Sequence, residues 1–196
     1  MSIFPTCTKI TITKMDSFSS KPSFEYRSIG SPFDVKATIQ GDKITFEKAS
    51  LFDREALPFL GRSGLNNGVV GYVNAELSKI NLGKVITIAL DGSTGATFYQ
   101  HHPFSSGQNI WILNPKTDVI NDFDQYVAIY LVASIRKAVA SYSYNLSLTK
   151  TRLLKVDILV PVINELEVDV QAMRDCVTTL RNAELIENIP EERLVD

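Results

Sequence analysis

The periodicity of the chain changes at Asn121, and that change limits the folds open to it. Ahead of it, from Phe24 to Asp122, short β-type runs at 35–39, 43–46, 58–60, 69–73, 85–90, 96–99 and 109–113 are separated by Gly, Asn, Asp and Pro, the spacing of a turn-rich sheet or barrel. The run Val85-Ile-Thr-Ile-Ala-Leu90 lacks polar alternation, as a strand covered on both faces does. It is the expected central strand. Beyond Asn121-Asp-Phe-Asp124, whose side chains suit a helix N-terminus, Val127, Leu131, Ser134, Ile135, Ala138, Val139 and Tyr142 recur at helical spacing. This predicts one long amphipathic helix over 125–142. A strand at 156–160, ending at Pro161, follows.

Asn164 and Glu167 then have the spacing of a capping box, and Leu166, Val170, Met173, Val177 and Leu180 form a heptad-like stripe. They predict a second helix of about 20 residues, roughly 30 Å long. A stripe two heptads long does not make a stable isolated coiled coil, so it needs a partner surface in this chain or another. The expected fold is α/β (α+β): a compact twisted sheet or β-barrel-like unit with one packed long helix, followed by a C-terminal helix. The expected divisions are an arm over 1–23, a domain over 24–161, and the helix with an acidic tail over 162–196.

With 196 residues, 44% of them hydrophobic and 21% charged, the chain has enough apolar side chain to bury one domain core. It has no apolar run of membrane-spanning length, and no charged-then-apolar leader opens it, so a cytoplasmic protein without a membrane partner is expected. Cys7 and Cys176 are too few for a disulfide scaffold and read as ordinary reduced thiols. The groups that catalysis needs are not assembled. Gly92-Ser-Thr-Gly95 follows a buried strand but lacks the Lys-Ser/Thr of a phosphate loop. His101-His102 are adjacent, point different ways, and have no Cys/His/carboxylate set at ligand spacing. Neither histidine stands in a nucleophile–base arrangement. No cofactor, metal or catalytic residue is expected, and the chemistry is that of binding.

Three stretches carry the binding signal. Gly61-Arg-Ser-Gly-Leu-Asn-Asn-Gly68 joins two β-type runs with side chains of the kind that read base edges and phosphates; taken alone, it reads more simply as a hairpin turn. Asp91-Gly-Ser-Thr-Gly-Ala-Thr-Phe-Tyr-Gln100 turns tightly at the end of the buried run. Phe104-Ser-Ser-Gly-Gln-Asn-Ile-Trp111 leads into a strand bearing the only tryptophan.

The order Leu57-Pro58-Phe59, Arg62-Ser63-Gly64-x-Asn66-Asn67-Gly68, Gly71-Tyr72, Ile86-Thr-Ile-Ala-Leu-Asp-Gly-Ser93, Gly95-Ala-Thr-Phe-Tyr-Gln100, Pro103-Phe104, Gly107-Gln-Asn109 and Tyr144-Asn145 resembles the target recognition domain of the DNA specificity subunits of type I restriction-modification systems and their single-polypeptide type II relatives. The resemblance runs from about Phe24 to Pro161. It implies an α/β domain that reads one half of a bipartite site in double-stranded DNA and docks on a DNA-methyltransferase subunit, alongside a restriction subunit, with methylation and cleavage carried out elsewhere. It also aligns the helix from Asn164 with the start of a long spacer helix. Full specificity subunits carry two recognition domains and two long helices, whereas this sequence shows one domain and a second helix ending near Asn188-Ile-Pro190. Self-association through the 166–180 stripe would restore two domains. Alternatively, the sequence is a fragment of a larger polypeptide or a degenerate copy; the rival function is a protein-interaction module that keeps the fold without DNA binding.

On that resemblance Arg62, Asn66, Asn67 and Gln108 are expected to read bases or phosphates. Ser63, Ser93, Tyr99, Asn109, Tyr144 and Asn145 stand beside them, and Arg136, Lys137, Lys150 and Arg152 would anchor phosphates. For Arg136 and Lys137 a solvated helix face is the plainer reading. The charge distribution permits this. Residues 1–57 carry 8 basic and 7 acidic groups, 58–155 carry 9 and 5, and 156–196 carry 3 and 10. The net charge of −2 therefore belongs to the C-terminal part, and the segment with the proposed readers is mildly basic.

Overall fold

The computed structural model describes residues 22–143, 146–165 and 167–187. Its strands are β1 (Ser23–Ser28), β2 (Phe33–Ala37), β3 (Glu47–Ala49), β4 (Leu57–Leu60), β5 (Val69–Asn74), β6 (Val85–Ala89), β7 (Thr97–Gln100), β8 (Ser105–Ser106), β9 (Ile110–Pro115) and β10 (Asp157–Val162). The helices are α1 (Gln125–Val139), α2 (Lys150–Leu153), α3 (Val170–Thr178) and α4 (Glu184–Glu187). The strands form three sheets: β2-β9-β6-β7, β3-β5-β4-β8, and the pair β1-β10. The fold is a mixed α/β one, and no barrel closes among the described residues.

The first sheet is the middle layer. On one face Val35, Ile86, Ile88 and Leu113 meet Leu131, Ile135 and Val139 of α1 and the inner side of β10 in the main core. On the other face Val85, Ile110 and Ile112 pack with Leu60 of the second sheet and with Phe104, just ahead of β8. Covering on both sides explains why every residue of β6 is buried and why its sequence does not alternate. β6 lies inside the sheet between β9 and β7.

The predicted run at 43–46 is instead a turn. Asp42 accepts a hydrogen bond from the Ile44 amide at 3.0 Å, and the Thr45 amide donates to the Asp42 carbonyl at 2.9 Å. The strand comes after it, at Glu47–Ala49, because an aspartate that bonds the backbone two residues on stabilises a turn in place of a ladder. β1, in the stretch that sequence alone marked only as the domain start, pairs antiparallel with β10, Phe24 opposite Pro161. Its aromatic Tyr26 is 72% exposed.

α1 is as expected. Asp124 accepts from the Val127 amide at 2.9 Å and caps the helix, and the buried positions Val127, Leu131, Ile135 and Val139 follow at intervals of four. Ser134 and Tyr130 donate to the Leu159 carbonyl and tie the helix to β10.

The second helix departs from expectation. Asn164 and Glu167 make only half of a capping box, the Glu167 amide donating to Asn164 Oδ1 while the Glu167 carboxylate takes the Asn164 side-chain amide and not its backbone N–H, and the turn they close folds back on β10: the Ile163 amide donates to the Glu167 carbonyl and the Asp169 amide to the Pro161 carbonyl. The helix starts only at Val170, capped by Asp169, and runs nine residues. Met173 is buried in the main core, Val170 packs partly against it, and Val177 is buried as well. The stripe therefore finds its partner within the chain. Leu180 lies beyond the helix and is half exposed, and Leu166 lies outside the described residues, as do residues 1–21 of the predicted arm and the end of the acidic tail.

Arg174 of α3 bridges Asp122 and Asp124 at the start of α1. The hydrogen bond to Asp124 raises the Arg174 pKa above the ordinary guanidinium value, with burial opposing it. Asp124 thus serves two helices. Asp124→Ala should cost about 1–2 kcal/mol in urea unfolding, within the range for a lost N-cap, whereas Asp124→Asn should retain most of it because the amide still caps. Equal losses would show that the charge, not the cap, matters.

Candidate nucleic-acid interface

Of the predicted readers, Arg62, Ser93 and Asn109 gather where β6 ends. The turn at 90–96 leaves β6 there, and β9 enters there, Ile110 opposite Ala89. The C-terminal end of α1 also lies there: a Cβ built on Gly95, whose φ is +80°, would stand 2.8 Å from Val139 Cγ2, so only glycine fits the approach. The loop over 61–68 lies along β7, its tight turn made by Asn66, Asn67 and Gly68 with φ of 51°, 54° and 79°. Asn and Gly are the residues that enter this left-handed region at least cost.

Asp91 joins the three loops. Its Oδ2 accepts from Arg62 NH1 at 2.8 Å and from Asn109 Nδ2 at 2.8 Å. The backbone repeats the connection: the Ser93 amide donates to the Arg62 carbonyl, the Leu90 amide to the Asn109 carbonyl and the Gly107 amide to the Leu60 carbonyl. Arg62, Asn66, Gln108 and Asn109 are exposed, and Ser63 and Ser93 half-buried. Sequence reading placed Asp91 inside a turn motif without a role. Its position just after the fully buried strand was the available signal.

The cations sit around this cluster in different settings. Arg136 Nε donates to the Thr97 carbonyl at 2.8 Å while its guanidinium stacks 4.6 Å from the Phe98 ring centroid. Partial burial lowers its pKa from the ordinary value, yet a guanidinium stays charged near neutrality. It holds α1 to β7 and borders the same shallow recess as Gly64 and Ser93. Lys137 is exposed beside it. Lys150 lies 5.3 Å from the Trp111 ring centroid, which places α2 by the start of β9 at the same end. Arg152 NH1 donates to the Ser147 carbonyl at 2.7 Å. Beside Arg62 and Gln108 opens a groove of about 870 Å³ whose walls include Lys43, Lys79, Glu47 and Glu76. Charged walls distinguish it from the mostly apolar pockets that take small molecules.

Two predicted readers are engaged elsewhere. Asn67 donates to the Tyr99 carbonyl and to Gln100 Oε1, both at 3.1 Å, and buried Gln100 donates back to the Asn67 carbonyl and to Thr87 Oγ1. Asn67 thereby fastens the loop to β7. Tyr99 turns toward His101 and Phe123, near the start of α1, away from the cluster. Tyr144 and Asn145 lie outside the described residues. Among the described residues no three His, Cys, Asp or Glu side chains are grouped to hold a metal ion, and no helix is long and apolar enough to cross a membrane.

Residues 24–192 match the family model described as the type I restriction modification DNA specificity domain. The chain belongs to this family. As a member it is a DNA specificity domain. The specificity subunit S.BcgI of a type II restriction enzyme from Heyndrickxia coagulans is 28% identical over 133 residues, 68% of this chain and 37% of that one. The HsdS subunit from Thermoanaerobacter tengcongensis has a TM-score of 0.54 at 15% identity, over 89% of this chain and 40% of its own. The S subunit of a type I restriction-modification system from M. genitalium has a TM-score of 0.52 at 14% identity, over 84% and 38%. The structural likeness is one of fold. The specificity domain described here spans about two fifths of the length of these relatives.

Proposed function

We propose that the domain reads one half of a two-part site in double-stranded DNA, in the cytoplasm, and docks on a DNA-methyltransferase subunit that performs the chemistry, with a restriction subunit as a further partner. The observation that carries the proposal is the convergence of Arg62 and Asn109 on Asp91, with Ser93 bonded to the Arg62 backbone, Gln108 beside Arg62 in the groove, and the cations Arg136 and Lys150 held on neighbouring aromatic rings. Loops held at one end of a rigid sheet are a usual platform for recognition. A second recognition unit, from further chain or from a second copy, completes the two-part site; because Met173 and Val177 are buried in this domain's own core, that copy joins through other surfaces. A single half-site gives modest affinity, which linkage raises.

The test is a gel-shift titration against random and selected duplexes, with and without the cognate methyltransferase subunit. Sequence-selective retention that weakens with salt supports the proposal. Retention of the methyltransferase without DNA selectivity favours an interaction module. In the assembled complex Arg62→Ala should relax one base position and weaken binding about 5- to 150-fold, the equivalent of 1–3 kcal/mol for a base-reading contact; unchanged selectivity would remove the 61–68 loop from the reading surface.

A further inference from the structure

We propose that Asp91 is a positioning residue that presents Arg62 to one guanine of the half-site. The inference rests on the DNA-reading function and adds the base and the device that selects it. A guanidinium reads guanine through two parallel N–H bonds to O6 and N7, and an arginine that anchors a phosphate needs only its charge. The surroundings of Arg62 favour the first role. Asp91 Oδ2 takes NH1 at 2.8 Å, which leaves the edge formed by Nε and NH2 for a ligand, and the side chain is 49% exposed. A carboxylate this close cancels much of the arginine's charge and repels a phosphate, whereas a neutral base edge pays no such penalty.

The arrangement is rigid. Asn109 donates to the same Oδ2, the Ser93 amide holds the Arg62 carbonyl, and Gly92, with φ of +68°, lies so close that a Cβ there would stand 2.8 Å from Arg62 Cβ. Folding gains little from the carboxylate. The ion pair is half exposed on both sides, where such pairs contribute little, and Asp91 Oδ1 is buried with no hydrogen-bond partner among the described residues, which is unfavourable. A group so placed, with little return in stability, is the pattern of a functional position.

The experiment is selection from a randomised duplex library by the full chain in complex with its methyltransferase subunit. The wild-type complex should select a site with one guanine whose replacement costs tenfold or more. Arg62→Lys, which keeps the charge but not the fork, should lose the preference at that position alone, and Asp91→Ala should weaken the same position with an unchanged melting temperature. Adding Asp91→Ala to Arg62→Ala should cost nothing further there, since the carboxylate acts through the arginine. Full retention of the preference by Arg62→Lys or by Asp91→Ala would overturn the proposal, as would a uniform loss over all positions in the Asp91 variant. A wild-type complex that selects a site insensitive to both residues leaves the DNA-reading function standing and removes this inference; one that selects no site removes both.

Discussion

Met173→Ala should lower the unfolding free energy by about 2–5 kcal/mol, the range for truncating a large buried side chain, and the melting temperature by about 5–15 °C at the scaling for a chain of this size. Met173 has no exposed surface and lies in the main core, where α3 covers α1. Nothing on the described surface can replace it. Leu180, two residues past the end of α3 and 46% exposed, belongs to the same sequence stripe but to none of the core, and Leu180→Ala should stay within about 0.5 kcal/mol. Thermal and urea unfolding of the two variants, together with the solution mass of each, check this. A Met173→Ala chain that kept its melting temperature but changed its mass would move the stripe to an interface between copies.

The stripe also shows where sequence reading reached its limit. A heptad pattern states that one helix face is apolar, and it says the same whether the partner is another chain or the neighbouring helix. Likewise the Asn164–Glu167 pair closes a turn ahead of the helix instead of capping it, because an Asn side chain that accepts an amide three residues on serves a tight turn as well as a helix start; the actual cap is Asp169, five residues later. Strand β1 was illegible for a related reason. Tyr26 faces outward at 72% exposure, so the usual alternation was absent and only the ladder with β10, distant in sequence, makes Ser23–Ser28 a strand. By contrast β6 and α1 were plain, since a fully covered strand and a four-residue apolar spacing each have one physical reading.

At the site, residue types pointed to the right loops but not to the division of labour within them. Arg62 and Asn67 share one hairpin and similar chemistry, yet Arg62 extends from a carboxylate at the exposed end while Asn67 is tied to Tyr99 and Gln100 along β7. Which amide bonds a base and which bonds the scaffold depends on a register between loop and strand that no local pattern encodes. Tyr99 was assigned with its neighbours in sequence, but alternation along β7 sends it to the face with Phe123.

Replacing Lys137, Lys150 and Arg152 together by glutamine should weaken binding of the assembled complex to every duplex alike, by on the order of a hundredfold near 0.15 M salt, and reduce the slope of log affinity against log salt by about 3. The three are separable from folding. Lys137 is exposed on the outer side of α1, Lys150 rests on a tryptophan face and Arg152 bonds a carbonyl in its own turn, so none supports the core as Arg136 does through Thr97 and Phe98. Each phosphate neutralised releases about 0.9 counterion, which makes the slope a count of anchors and independent of the base sequence read. The selected site should therefore stay the same while its affinity falls. An unchanged slope would make these side chains a solvated rim, and the groove lined by Lys43 and Lys79 would then have to hold the DNA backbone.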